Sequence, residues 1–479
     1  MKFNALGRQM AVLLDQQKNY NADFGAIFRS SAIFYIPKSV KTTITVSNYW
    51  DFKNGMEVGL LFSIRSMDGE IIERRERYFE EGLVINETNW PVEEGSVEVE
   101  VFGNKNLRIP YAAVMGVYET EQSISMVHSY GRNHNLIELE DGASLTIGRE
   151  SCWTLRYKNS VTNEAVFHNG HLAISEQEAL FTITNSQGTE KEVSFFIPPL
   201  KAFETYIFSV ADIFPNYKDF LIGSNGWGTV HFENQTAFTR LLLVWRDQES
   251  EELQVTHSNF DYTEIETNKI EATKPALMKW PSLLSESELG KVVVYPKFSK
   301  GRYKISSSKG INETDSGLFI NVKNIEKLEF ASTDSNSIPS RIVTGFEYKI
   351  DDEVLPLECS MGIVHEKRPP KRFHWAVVSK KFKSQLFFNS FDEIYDLPTD
   401  PFLVFRLYSS LNLEYSERRI ELDDLSKLPD GILVEDLFDN DPKLDNQHFS
   451  YVSMFSNYGG LFMYSSMLKE KSMTIEHSF

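Results

Sequence analysis

Cysteine is scarce in this chain of 479 residues: only Cys152 and Cys359 occur, with no Cys-x-x-Cys and no partner at metal-ligand spacing. A disulfide framework needs more, so the expected compartment is reducing and the expected location cytoplasmic. Long apolar runs are missing too. No stretch of about 18 apolar residues occurs, so no membrane-spanning helix is expected. Positive charge is in deficit, with 49 Lys and Arg against 68 Asp and Glu and a formal net charge of −19. That balance disfavours nucleic acid phosphate as a partner. A Gly-rich phosphate cradle, a G-x-S-x-G elbow and an H-E-x-x-H pair are likewise absent, and no cofactor is expected.

What is there points to folded, multidomain material. Apolar residues make up 41% and aromatic residues 13% of the chain, too much for a disordered polymer. The length suits about three domains of roughly 150 residues. At the N-terminus, Leu6, Met10, Leu13 and Leu14 sit at helical spacing, which predicts a short helical segment over residues 1–23. The run Met10 to Leu14 is closed by Asp15 and is too short for a signal-peptide core.

Elsewhere the period is that of strands. Thr43-Ile44-Thr45-Val46, Val97-Glu98-Val99-Glu100-Val101 and Phe402-Leu403-Val404-Phe405 are β-rich, and several such runs alternate. Turns such as Met67-Asp68-Gly69 and Ser224-Asn225-Gly226 punctuate them. The predicted class is all-β, built of antiparallel β-sandwiches.

A repeat organises the sequence. Ser47-Asn48-Tyr49, His168-Asn169-Gly170 and Phe388-Asn389-Ser390 each end a strand. Each is followed by a hairpin and then by a closing strand, at Val127-His128-Ser129, Thr256-His257-Ser258 and Glu476-His477-Ser478. Equal spacing separates Asn169 from His257 and Asn389 from His477. Glu73-Arg74-Arg75 and Glu417-Arg418-Arg419 match after the first and last hairpins, with Glu190-Lys191-Glu192 between. This predicts three related sandwiches over residues 24–138, 139–268 and 357–479. Residues 269–356 lack the His-Ser pair and read as a linker with an inserted or partial β module. The alternation Met473, Ile475, His477 predicts that the last strand closes the third sandwich.

The middle copy resembles the bacterial sensory-rhodopsin transducer family of small β-sandwich proteins. The similar residues are Phe196-Ile197-Pro198-Pro199, Glu204-Thr205-Tyr206-Ile207-Phe208, Ser224-Asn225 and Val255-Thr256-His257-Ser258. The resemblance implies a bacterial sandwich with a ligand-binding or assembly role. It carries over no functional residue.

Two constellations could carry chemistry. His128, His257 and His477 would make a site of three imidazoles if three modules met around a pseudo-threefold axis, as a catalytic zinc site requires convergence. The competing reading is a strand-end histidine bonded to a neighbouring loop, copied with its module. His168-x-x-His171 needs a bend to ligate one ion, because i and i+3 of a strand face opposite sides. The second constellation is basic: Lys367, Arg368, Lys371, Arg372, Lys380, Lys381 and Lys383 flank Phe373, His374, Trp375 and Phe382. Arg368, Lys371, Arg372 and Trp375 are the predicted ligand-binding set for an anionic saccharide, with Trp375 accessible. A Lys-guarded strand edge is the alternative.

The resulting expectation is a non-catalytic binding or assembly protein, with an anionic saccharide or a second copy as partner. An enzyme acting on a polysaccharide precursor through the repeated histidines is the alternative. A spacer in a viral or secreted particle is a second.

Overall fold

The computed structural model describes residues 28–103, 113–134, 151–231, 237–260, 269–271, 273–295, 303–307, 312–313, 318–332, 337–339, 342–422 and 431–477. The helix expected over residues 1–23, and Ser478 of the last His-Ser pair, lie outside them. Among the described residues the helices are short, the longest being Tyr49–Asn54. The rest of the regular structure is antiparallel strand.

The first sandwich comprises β1 (Phe28–Ile36), β2 (Lys41–Ser47), β3 (Val58–Arg65), β4 (Ile71–Arg77), β5 (Val84–Glu87), β6 (Gly95–Gly103), β7 (Val114–Glu119) and β8 (Ile124–His128). Its sheets run β1-β6-β3-β4 and β5-β2-β7-β8, and β9 (Gly131–Asn133) extends the former beside β1.

The second comprises β10 (Ser151–Leu155), β11 (Val161–His168), β12 (Gln177–Thr184), β13 (Glu190–Ile197), β14 (Thr205–Ser209), β15 (Gly226–His231), β16 (Ala237–Thr239), β17 (Leu242–Asp247) and β18 (Leu253–His257). Its sheets are β13-β12-β15-β10, extended by β19 (Asn259–Phe260), and β14-β11-β17-β18, while β16 pairs with β9 of the first sandwich.

A small ribbon then joins β20 (Lys269–Glu271) to a later strand. The third sandwich comprises β21 (Ala276–Lys279), β22 (Lys291–Val294), β23 (Tyr303–Ser306), β24 (Asn312–Glu313), β25 (Leu318–Asn321), β26 (Lys327–Ser332), β28 (Thr344–Tyr348) and β29 (Leu357–Met361). Its sheets are β21-β26-β23-β24 and β25-β22-β28-β29, and β27 (Ser337–Pro339) is the partner of β20.

The fourth comprises β30 (Phe373–Val378), β31 (Gln385–Ser390), β32 (Phe402–Tyr408), β33 (Ser416–Glu421), β34 (Ile432–Leu433), β35 (Ser450–Ser456), β36 (Leu461–Lys469) and β37 (Ser472–His477), in sheets β30-β35-β32-β33 and β34-β31-β36-β37.

All four share one strand order. In each, counting the eight strands of the two main sheets (without β16), the first, sixth, third and fourth make one sheet, and the fifth, second, seventh and eighth make the other. The expected segment 269–356 is therefore corrected: a complete sandwich stands there, and its eighth strand, β29, runs past the expected boundary at 357. The reason is a substitution at the landmark. His257 pairs with Leu242, which pairs with Val166, and Met361 pairs with Thr344, which pairs with Val294 in the same register. Met361-Gly362 occupies the place of His-Ser, so a search for that pair passes over this copy. Asn48 and Asn169 directly follow the second strands of their sandwiches, and Asn389 is next to last in its own. His128, His257 and His477 each end an eighth strand.

The eighth strands also organise the sandwiches relative to one another. β8 lies against β18 and β37, and β29 lies against the same two, so the four close a cycle. Apolar packing accompanies this closure. Leu242, Val244, Leu253 and Val255 of the second sandwich join the core of the first, and Phe387, Tyr464 and Ile475 of the fourth join that of the third. The first two sandwiches are keyed further by the β3–β4 hairpin. Gly69 has φ +81°, and a Cβ there would fall 2.4 Å from the Ala202 carbonyl, so no larger residue fits. Met67 O accepts from Thr205 N at 2.8 Å, and the Arg65 guanidinium lies 4.0 Å from the Phe203 ring centre.

Candidate functional site

Each eighth strand lies at the edge of its sheet, where unpaired backbone groups need partners. Hydroxyl side chains of neighbouring eighth strands supply them. Ser123 Oγ accepts from Leu253 N at 2.8 Å and donates to Leu253 O at 3.1 Å. Ser125 Oγ treats Val255 in the same way, at 2.9 and 3.2 Å. On the other side of β8, Ser472 Oγ accepts from Ile124 N and Thr474 Oγ1 from Met126 N. Ser360 Oγ donates to His257 O at 3.2 Å. Serine and threonine alternate here because every second side chain of a strand points the same way. The hub is polar, buried and hydrogen-bonded.

At one end of this hub the three strand-end histidines meet. The His128 ring centre lies 4.4 Å from that of His257 and 5.0 Å from that of His477, and the latter two are 6.4 Å apart. The convergence takes place around a cycle of four sandwiches, not the three the sequence suggested. Glu476 sits among the rings. His128 Nδ1 donates to Glu476 Oε1 at 3.0 Å, and His477 Nδ1 lies 2.8 Å from the same oxygen. Burial opposes ionisation of Glu476, yet His128 and His477 outweigh it and hold the carboxyl down at about 2. Burial pushes His128 down to about 4, against the pull of Glu476. Burial, then the neighbouring Arg240, sends His257 well below its ordinary value. His257 Nδ1 donates to Ser258 O at 2.9 Å, which leaves Nε2 to accept from Arg240 Nη1 at 3.3 Å. Near neutral pH the pair is thus a carboxylate beside an uncharged His128.

His168 is a core histidine. Tyr130 Oη lies 2.7 Å from its Nε2 and Thr205 Oγ1 lies 2.9 Å from its Nδ1, so both ring nitrogens are engaged.

The basic segment does not form the expected site. Trp375 is only 7% exposed, on β30 at the seam with the first sandwich, 5.6 Å from the Tyr451 ring. Arg368 folds inward, its Nη1 donating to Ile363 O at 3.3 Å and its guanidinium lying 5.2 Å from the Phe462 ring centre. Lys381 is tied to Glu119 of the first sandwich at 2.7 Å. Arg372 stays exposed and Lys371 half-buried, so the proposed set is split between seam and surface. The β30 run Phe373-His374-Trp375-Ala376-Val377-Val378 is packed on both faces because a neighbouring sandwich covers the side that would otherwise meet water.

Other cations stand beside aromatic rings. Lys191 on β13 lies 4.2 Å from Phe214 and Arg419 on β33 lies 3.9 Å from Phe402, both exposed, whereas Arg75 on β4, 5.8 Å from the Trp90 ring centre, is 14% exposed and paired with Glu73 and Glu87. All three stand on the fourth strand of a sandwich, the edge of the sheet that does not enter the hub. These are the Glu-Arg-Arg and Glu-Lys-Glu positions of the repeat. The triplets were visible in the sequence, but their aromatic partners lie on other segments and were not.

No family model matches the chain, and no curated protein does. Among solved structures, β-glucuronidase 2 of Bacteroides uniformis, covalently bound to cyclophellitol-6-carboxylate aziridine, aligns at 12% identity and a TM-score of 0.13. The alignment covers 50% of this chain and 27% of that enzyme, so the chain spans about a quarter of its length. A tetra-tandem repeat from the extending region of a large adhesion protein aligns at 7% identity and a TM-score of 0.11, over 94% of this chain and 98% of the other.

Proposed function

We propose that this chain is a non-catalytic binding protein that holds an acidic saccharide at two points around its ring of sandwiches. The observation that carries the reading is the exposed cation beside an aromatic ring, repeated on the fourth strands of two sandwiches at Lys191 and Arg419. An aromatic face packs against the C–H face of a sugar ring, and an adjacent cation pairs with a carboxylate. One such pair binds weakly. Two on one rigid body raise the effective concentration for the second contact along a polymer. Cys152 and Cys359 are both buried and form no disulfide with each other, which fits the reducing, cytoplasmic setting read from the sequence.

The test uses a linear polyuronate such as alginate and the double variant Lys191→Ala/Arg419→Ala. Both residues sit on exposed strands, so folding is expected to be unchanged. Affinity electrophoresis should show retardation of the parent that fades with salt, and clearly weaker retardation of the variant. Equal retardation of the two, or none for the parent at low salt, overturns the reading.

A further inference from the structure

The sandwiches follow one another along the chain, so three of the four seams in the cycle are bridged by covalent chain. The seam between the fourth and the first is not. Non-covalent contacts hold it: Leu83 N and Val84 N donate to Ser409 O at 2.8 and 3.1 Å, Tyr451 donates to Thr45 O at 2.7 Å, Asn86 Nδ2 to Phe449 O at 3.0 Å, and Lys381 and Lys469 both reach Glu119. The histidine cluster lies on this seam. His128 comes from the first sandwich, and Glu476 and His477 come from the last strand of the fourth.

We propose that His128, Glu476 and His477 bind one divalent transition-metal ion of the zinc type, which pins the closing seam of the ring. One ligand atom from each residue lies within 4.8 Å of the others. The Glu476 oxygen is 3.0 Å from His128 Nδ1 and 2.8 Å from His477 Nδ1. Ligand atoms on a tetrahedral ion with bonds of about 2.0–2.1 Å stand roughly 3.3 Å apart, so the Glu476 oxygen needs to move only slightly from each ring nitrogen. Two imidazoles and one carboxylate are a ligand set that zinc accepts, leaving a fourth position for water.

Entry and neighbours agree with this assignment. His128 and Glu476 side chains are 4% and 6% exposed, whereas His477 is 29% exposed, so an ion reaches the site from the His477 side. His257 is not among the ligands, because Ser258 O and Arg240 engage its two nitrogens. Arg240 adds positive charge nearby, and Glu476 offsets it. An ion here crosslinks the two ends of the ring, and the benefit of closing such a long loop grows with the logarithm of its length.

The experiment uses the full chain, stripped with chelator and titrated with ZnCl2 or CoCl2. The expected result is one ion bound per chain, ligand-field absorption typical of four-coordinate cobalt, and a rise in melting temperature. His477→Ala is the deciding variant, since its half-exposed ring can be removed with the circular dichroism spectrum preserved. It should weaken binding by more than the roughly 10–100-fold that loss of an outer partner costs, and abolish the thermal shift. Glu476→Gln should do the same wherever it folds. Failure of the parent to bind either ion below millimolar concentration overturns the proposal. So does undiminished binding by His477→Ala, which would place the ion elsewhere.

Discussion

Glu476 accepts a hydrogen bond from His128 at 3.0 Å across 348 positions of sequence. The bond joins the last strand of the chain to the first sandwich, inside the protein. Burial of the pair makes stability there depend on pH in a definable way. The pKa of folded His128 is about 4 against an ordinary 6.5, so the unfolded chain binds the extra proton first. Its contribution is complete above pH 6.5 and is lost as the pH falls towards 4. Glu476, held at about 2 against an ordinary 4.5, contributes above pH 4.5 and loses that contribution as the pH falls towards 2. Denaturant melts between pH 6.5 and 4 should fall more steeply for the parent than for His128→Gln. The difference should approach the roughly 1.4 kcal/mol per pH unit of one proton. Parallel curves would show that His128 does not titrate on unfolding.

Truncation after Lys471 should be far more damaging than loss of a tail. The segment pairs with β36, buries Ile475, and delivers Ser472 and Thr474 to the edge of β8. Ile475 alone accounts for about 1.5–3 kcal/mol of burial. The stranded backbone of Ile124 and Met126 adds about 1–3 kcal/mol for each unpaired group. Expression should give aggregated or protease-sensitive protein, and a soluble product with unchanged thermal unfolding would contradict this account.

The seam between the second and third sandwiches depends on a buried cation. Arg156 pairs with Glu347 and, at 3.2 Å, with Glu358, which also accepts from Tyr295. Replacing Arg156 with Ala leaves two buried carboxylates facing each other. The loss should be about 3–5 kcal/mol in denaturant unfolding, and the added substitutions Glu347→Gln and Glu358→Gln should recover part of it. A single substitution costing less than about 1 kcal/mol would mean that water already reaches the pair.

Within the basic segment the residues should now separate. Arg368→Ala removes a buried hydrogen bond and a cation–ring contact, for an expected loss of about 1–3 kcal/mol. Arg372→Ala, at an exposed position, should stay within about 0.5 kcal/mol of the parent. Thermal melts of the two single variants decide the matter, and equal effects would mean that Arg368 is solvated like Arg372.

The strands and the repeat were legible because they are local properties. Alternation marks β6, and fixed spacing marks the asparagines and histidines at strand ends. The fourth copy was hidden by one residue, Met361, at the position on which the pattern relied. Burial between sandwiches could not be read at all. Glu98 and Glu100 alternate with valine as though facing water, yet Glu98 is buried and Glu100 largely so, with Arg29 2.7 Å from each. Trp375 misled for the same reason, since a basic and aromatic run looks alike at a ligand site and at a seam. The histidine cluster lay in between. Its members were evident, but their meeting depends on how four edge strands pack, and strand period carries no such information.

Met361 has a further consequence. In a ring of identical subunits every residue at the hub occurs once per copy, so a change in one gene is a change at every corner. A ring written as one continuous polypeptide escapes that constraint. Each corner can then drift alone, one giving up its imidazole for a thioether while a neighbour gains a carboxylate. The centre of such a ring can become lopsided, with its polar chemistry gathered at one corner and the opposite corner left to hold the shape.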